Sequence, residues 1–132
     1  ARRRSPSGGD IACLMMLAMA ATYDPDETAP NGFRLPVNLD TGEYISARWR
    51  RWLAHDPIGL VRRHAASLKR LAAIFVDCGW RDQYRLHYGN RQLSARMRAC
   101  GVRHVYEEFD GTHSGTDHRF DRSLPVLSKA LQ

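Results

Sequence analysis

Ala72-Ala73-Ile74-Phe75-Val76-Asp77-Cys78-Gly79 is a continuous apolar run that ends on an acid, a cysteine and a glycine. Without alternation of polar residues, such a run is the pattern of a strand buried on both faces of a parallel sheet. The spacing predicts the strand over residues 72–76, with Asp77-Cys78-Gly79 leading out of it. Downstream, Leu86, Gly89, Leu93, Met97 and Cys100 mark a helix that stops at Gly101, a residue suited to the left-handed position after a helix end. His104 to Phe109 is a second strand candidate. After the Asp110-Gly111 turn and a polar loop, Phe120, Leu124, Leu127 and Leu131 describe a closing helix. Strand, helix, strand, loop, helix is the tail of a doubly wound α/β sheet.

Working upstream, three short helices are expected before any strand. The first starts at Asp10 as N-cap and carries Ile11, Leu14, Met15, Ala18, Met19 and Thr22 at helical spacing. Met16 and Leu17 occupy its other side, so it is apolar nearly all round and requires burial on several faces. A Pro- and Gly-rich passage, residues 24–42, reads as an ordered loop with a turn at Asp40-Thr41-Gly42. A second helix follows from about Glu43, burying Ile45, Trp49, Trp52 and Leu53. Asp56-Pro57 opens the third, with Asp as cap, Pro in the first turn and a stripe of Ile58, Val61, Ala65 and Leu68. The chain thus divides into a helical, lid-like segment over residues 1–70 and an α/β segment over residues 71–132. No internal repeat or low-complexity segment is present.

With 132 residues, 43% of them hydrophobic and 26% charged, the chain is one ordinary domain or part of a larger one. The longest mostly apolar stretch, residues 11–21, is too short for a membrane span of about 20 residues. Arg2-Arg3-Arg4 precedes it, but Ser5 to Asp10 intervene, and no targeting signal is read there. Lys+Arg 20 against Asp+Glu 14 gives a net charge of +6. The arginines are scattered singly and in pairs beyond the terminal run, which argues against a nucleic-acid surface. Cys13, Cys78 and Cys100 are odd in number and lack C-x-x-C spacing, so neither a disulfide framework nor a zinc knuckle is indicated. A reducing, cytoplasmic setting fits.

In an open parallel sheet, catalytic groups collect beyond the carboxyl ends of the strands. Beyond the first strand stand Asp77, Arg81 and Asp82; beyond the second stand Asp110, His113, Ser114, Asp117 and His118. Consecutive parallel strands bring both loops to one edge, so an Asp of the first can meet a His of the second. That pairing is the acid–base half of a hydrolase triad, in which the carboxylate fixes the imidazole tautomer and steadies the imidazolium.

Val76-Asp77-Cys78-Gly79-Trp80-Arg81-Asp82-Gln83-Tyr84, then Leu93 through Gly101, then Tyr106-Glu107-Glu108-Phe109-Asp110-Gly111-Thr112-His113 resembles the C-terminal part of the esterase branch of the α/β-hydrolase superfamily that holds the S-formylglutathione hydrolases. The family pattern is a D-x-G-x-x-D segment carrying the triad acid, a helix, a strand with Y-x-E, and a G-x-H loop carrying the base. The stretch from Leu17 to Pro36 is similar to an insertion in some members. The resemblance implies the C-terminal part of an α/β-hydrolase fold, its last parallel strands and helices preceded by a helical insertion. It implies His113 as catalytic base, Asp82 as orienting acid and Asp77 as a structural residue. A small-molecule ester or thioester is the implied substrate, with no cofactor, metal, nucleic acid or membrane partner; the oligomeric state is open.

The chain departs from the pattern in one respect. A serine esterase carries G-x-S-x-G, but the only glycines four apart are Gly111 and Gly115, with His113 between them. Ser5 and Ser7 lie in a Pro/Gly-rich tail, and Ser114 adjoins the base. The expectation is a C-terminal portion whose nucleophile, oxyanion-hole donors and early strands lie ahead of Ala1, inactive alone. Its first strand then has an unpaired apolar edge, prone to association. Two rivals are a metal-dependent hydrolase on Asp110, His113, Asp117 and His118, and a non-catalytic remnant or basic interaction module. The spacing of His113 and His118 does not match the H-x-x-x-H arrangement. Trp49 and Trp52 are candidate pocket walls or core. His55, His64, His87 and His104 read as surface or helix residues.

Overall fold

The structure, a computed structural model, describes residues 7–132. Arg2, Arg3, Arg4 and Ser5 lie outside the described residues. The chain is a mixed α/β protein with two compact units that divide between Asp56 and Pro57. The third helix therefore groups with the α/β unit, not with the helices before it as the division at residue 70 has it.

The first unit contains α1, Gly8–Tyr23, and α2, Ser46–Leu53. The N-cap of α1 is Ser7, not Asp10. Ser7 Oγ accepts the Asp10 N–H at 3.2 Å, and the Asp10 carboxylate accepts the Ser7 N–H at 2.7 Å, a reciprocal capping box. Of the helix's apolar residues only Ala20 is buried; Ile11, Leu14, Met15, Met16, Leu17 and Met19 are exposed. The all-round apolar character read from the sequence is thus present as exposed surface. The loop between the helices is pinned by antiparallel bridges, Pro25 to Phe33 and Val37 to Tyr44. The second bridge holds Tyr44 extended, which delays α2 from the expected Glu43 to Ser46.

The centre of this unit is a carboxylate. Asp24 has no exposed surface; Arg48 donates to both of its oxygens at 2.9 Å, and Arg51 donates to Oδ1. Burial acts to raise the Asp24 pKa, but the two guanidinium groups outweigh it and hold the value below the ordinary range. Trp52 is buried edge-on to Tyr23, and half-buried Trp49 packs between Tyr44 and Trp52. Ile45 and Leu53, expected in the core, are exposed.

The second unit is built from α3, Pro57–Leu68; β1, Phe75–Gly79; α4, Leu86–Ala99; β2, Val105–Phe109; and α5, Phe120–Ala130. β1 and β2 pair in parallel from Phe75–Val105 to Gly79–Phe109, and β1 has no second neighbour among the described residues. The strand lies later than residues 72–76. Ala72 falls in the bend that follows α3 and Ala73 lies between that bend and the strand, while Asp77, Cys78 and Gly79 join the ladder. Asp77 is accommodated there because Arg119 binds it.

Strand alternation assigns the two faces of the sheet. Val76 packs with α3 and α4 around Val61, Met97 and Val102, the buried apolar core. On the same face Glu108 takes two hydrogen bonds from Arg91 of α4, at 2.6 and 2.7 Å. On the opposite face Asp77 and Glu107 stand directly across from each other, a repulsive placement for two carboxylates. Arg119 bridges them, donating to Asp77 at 2.8 Å and to Glu107 at 2.6 Å, and Arg122 adds a second contact to Glu107. This anchorage sets the orientation of α5. Ser123, Val126 and Ala130 are half-buried, and the predicted stripe of Phe120, Leu124, Leu127 and Leu131 is exposed.

α4 ends as the sequence implies. Gly101 adopts φ +67°, its N–H donates to the Arg98 carbonyl, and the Val102 N–H donates to the Met97 carbonyl. These are the paired bonds of a Schellman motif, closed by contact between two core side chains, Met97 and Val102. Cys13, Cys78 and Cys100 are free thiols. No helix among the described residues is long and apolar enough to cross a membrane.

Gly79 is the tightest point of the sheet. A Cβ there would collide with the Gly111 carbonyl oxygen and lie 2.8 Å from the Thr112 carbonyl oxygen. Both obstacles are backbone, so relief requires the two loops to separate. Gly79→Ala is expected to destabilise the unit by about 1–3 kcal/mol, as overpacking of a closed site does; urea denaturation measures the loss.

Candidate active site

Two loops leave the carboxyl ends of β1 and β2, and backbone hydrogen bonds extend the sheet between them. The Trp80 N–H donates to the Phe109 carbonyl and the Arg81 N–H to the Gly111 carbonyl, both at 3.0 Å. Gly79, having no Cβ, allows this approach. Asp82 and His113 are the next side chains along the same seam.

Asp82 is 2% exposed and divides its oxygens between two tasks. Oδ1 accepts the Tyr84 N–H at 2.7 Å and the Leu86 N–H at 3.5 Å, which ties the loop to the first residue of α4. That end of the helix needs outside help, since Arg85 before it has φ +61° and supplies no side-chain cap. Oδ2 lies 2.9 Å from His113 Nδ1. The role of helix cap and the role of histidine partner thus fall on opposite oxygens of one carboxylate. Cys78 Sγ, buried beneath, is 3.9 Å from the same Oδ2.

Burial acts to raise the Asp82 pKa. The hydrogen bond from His113, the two backbone N–H groups and the His113 charge together outweigh it, and the carboxyl is held below its ordinary 3.8. Asp82 is therefore an ionised acceptor at neutral pH, able to keep the proton of a neutral imidazole on Nδ1. His113 itself is half-exposed; its side chain retains 48% of its surface. Nε2 has no hydrogen-bond partner among the described residues. The imidazole is left half-exposed, with the buried carboxylate behind its Nδ1.

The remaining candidates take other places. Asp77 is held by Arg119, as a structural residue would be. Asp110 pairs with Arg81 at 2.6 Å. The His118 Nδ1–H donates to the Gly115 carbonyl at 3.1 Å, and its ring meets the edge of Phe109. Among the described residues no group of three or more His, Cys, Asp or Glu side chains is arranged to hold a metal ion. Ser114 contacts Thr112 within its own loop. Ser7 caps α1.

Two of the histidines read as surface or helix residues, His87 within α4 and His104 just ahead of β2, are not exposed. His87 is buried on α4 against Tyr88, with Nδ1 unpartnered among the described residues. His104 is half-buried, 2.7 Å from Ser94 Oγ through Nε2 and 3.0 Å from the Val102 carbonyl through Nδ1. This serine–histidine pair has the atoms of a nucleophile and its base. Ser94 is 1% exposed, however, so the pair ties α4 to the start of β2. Gln83 and Tyr84, which sequence reasoning left unassigned, both contact His113.

No protein-family model matches this sequence, and no curated protein matches it.

The depressed Asp82 value has a consequence for stability. The ionised carboxylate contributes fully above its unfolded pKa, near 3.8, and the contribution is lost as the pH falls through the lower folded value. Asp82→Asn should destabilise the unit by about 1–3 kcal/mol at neutral pH, the worth of charged hydrogen bonds. The difference between the two proteins should begin to narrow as the pH falls below about 4 and close only below the lower folded value. Thermal melts of both over a pH series measure this.

Proposed function

We propose that the α/β unit is the C-terminal part of a serine carboxylesterase-type hydrolase of the α/β-hydrolase superfamily, with Asp82 as the acid and His113 as the base of a Ser-Asp-His triad. The observation that carries this reading is the 2.9 Å contact of Asp82 Oδ2 with His113 Nδ1 beyond the ends of two neighbouring parallel strands. Its chain order, acid before base, is that of the superfamily. The serine and the oxyanion-hole donors are supplied by polypeptide other than the described residues.

Other surfaces of the α/β unit support a larger sheet. Among the described residues β1 has an unpaired edge, and a groove of about 330 Å³ is lined mainly by apolar residues, including Leu60, Val76 and Leu93, with His64 among them. α5 carries an exposed stripe of Phe120, Leu124 and Leu127. Apolar surface on this scale is expected where further layers of a domain pack.

The mechanism is acyl transfer in two steps. Nε2 of His113 takes the serine proton as the serine oxygen attacks the carbonyl of an ester or thioester. The imidazolium, steadied by ionised Asp82, then returns the proton to the leaving alcohol or thiol. The same nitrogen activates water, which adds to the acyl carbon, and the serine leaves with its proton restored. The hydrogen bonds that hold the Asp82 pKa down keep it from competing as a base, and the half-exposed imidazole is open to substrate. The three free cysteines suit a cytoplasmic setting.

The test uses the protein expressed from its complete gene. A fluorophosphonate probe should label one serine, and the protein should hydrolyse p-nitrophenyl acetate. His113→Ala should lower the rate by about 10⁴-fold or more, and Asp82→Asn by about 10⁴-fold, as loss of a triad member does. Absence of serine labelling, or a His113→Ala variant with the unaltered rate, overturns the proposal.

A further inference from the structure

His113 sits in an exposed loop flanked by glycines. It is half-exposed, it lies between Gly111 and Gly115, and Gly115 is in the left-handed region at φ +69°. One hydrogen bond to Asp82 fixes the position of Nδ1 but leaves the ring free to pivot about that contact and the backbone free to carry it away. Two further contacts remove those freedoms. Oε1 of Gln83 accepts the backbone N–H of His113 at 3.1 Å, across thirty positions of sequence. The ring of Tyr84 stands perpendicular to the imidazole, with centroids 4.9 Å apart and an interplanar angle of 86°. That is the edge-to-face geometry favoured between aromatic rings.

We propose that Gln83 and Tyr84 are positioning residues for His113, so that the tripeptide Asp82-Gln83-Tyr84 holds the histidine at its ring nitrogen, its backbone and its ring plane. The catalytic meaning of this clamp rests on the hydrolase reading above; the clamp itself rests on geometry alone. An N–H donor requires the oxygen of the Gln83 amide, which sets the side chain's orientation. The Tyr84 N–H is itself held by Asp82 Oδ1, so the acid that orients the imidazole also places the ring that packs against it. The two contacts act on different freedoms, and neither replaces the other. Together they hold the lone pair of Nε2 in one direction, which is what proton transfer from a serine hydroxyl demands.

The readout is the tautomer of neutral His113, from imidazole ¹⁵N shifts at alkaline pH in the protein expressed from its complete gene with labelled histidine. The Asp82 contact favours the Nδ1–H form, whereas free imidazole side chains favour Nε2–H. Gln83→Met, which keeps the length but removes the acceptor, should lower the Nδ1–H to Nε2–H ratio by about fivefold, the worth of one net hydrogen bond. Gln83→Glu, which keeps the acceptor, should restore the ratio. Tyr84→Leu should lower it, and Tyr84→Phe, which keeps the ring, should leave it unchanged. Melting temperatures recorded alongside separate these effects from loss of fold. An unchanged ratio in both Gln83→Met and Tyr84→Leu overturns the clamp. In the ester assay Gln83→Met should lower kcat with KM unchanged. If the hydrolase reading fails, ester hydrolysis is absent while the tautomer still follows Gln83. If the clamp fails, His113→Ala abolishes hydrolysis while Gln83→Met leaves both the tautomer and kcat as they were.

Discussion

Parallel pairing of β1 with β2 is the constraint from which the α/β unit follows. Strands that run the same way cannot be joined by a tight turn, so the chain must cross over, and α4 is that crossover. The same pairing sends both following loops out of one end of the sheet. Once Gly79 lies opposite Phe109, the backbones of residues 80–81 and 109–111 are close enough to bond, and Asp82 reaches His113. A glycine at 79 is required by the carbonyl of Gly111, not by any unusual torsion of its own. The distance between acid and base is thus a product of strand register, fixed before either side chain acts.

Charge organises the rest of the molecule in a way that its net value conceals. The basic excess suggests an electrostatic surface, yet several arginines are committed internally. Arg119 neutralises two carboxylates that strand alternation places face to face, and Arg48 and Arg51 neutralise a fully buried Asp24. Arg91 and the Tyr106 hydroxyl hold Glu108 down to about pKa 2. Buried and half-buried carboxylates in this protein act as fasteners between elements, a role that works only while each guanidinium stays in place. Removing one partner leaves a charge with poor access to water.

Much of this architecture is legible in the sequence, and the reasons for the exceptions are physical. Gly101 after an apolar period marks the end of α4 because few other residues take a positive φ there, and His104–Phe109 locates β2 to within a residue. β1 is displaced because apolar content alone marks its lead-in, while Asp77 reads as a terminator until Arg119, far along the chain, is known to bind it. The face of α5 is misjudged for the same reason: ionic anchors outweigh the leucine stripe. Asp82 and His113 are legible through motif resemblance and the rule that sites gather at the ends of parallel strands. Gln83 and Tyr84 are not, since a backbone-accepting amide and an edge-on ring have no sequence period to betray them. Asp24 is invisible for another reason: a carboxylate after a helix, beside prolines, looks like a turn residue until two arginines close over it.

Asp82 and His113, thirty-one positions apart, are energetically coupled if they meet as the structure places them. A double-mutant cycle on the protein's unfolding free energy, with Asp82→Asn, His113→Gln and the double variant, measures this coupling at neutral pH. Contact across 2.9 Å predicts a coupling of about 1 kcal/mol or more. Strict additivity, within about 0.3 kcal/mol, would contradict the juxtaposition on which the dyad, the clamp and the proposed chemistry all stand.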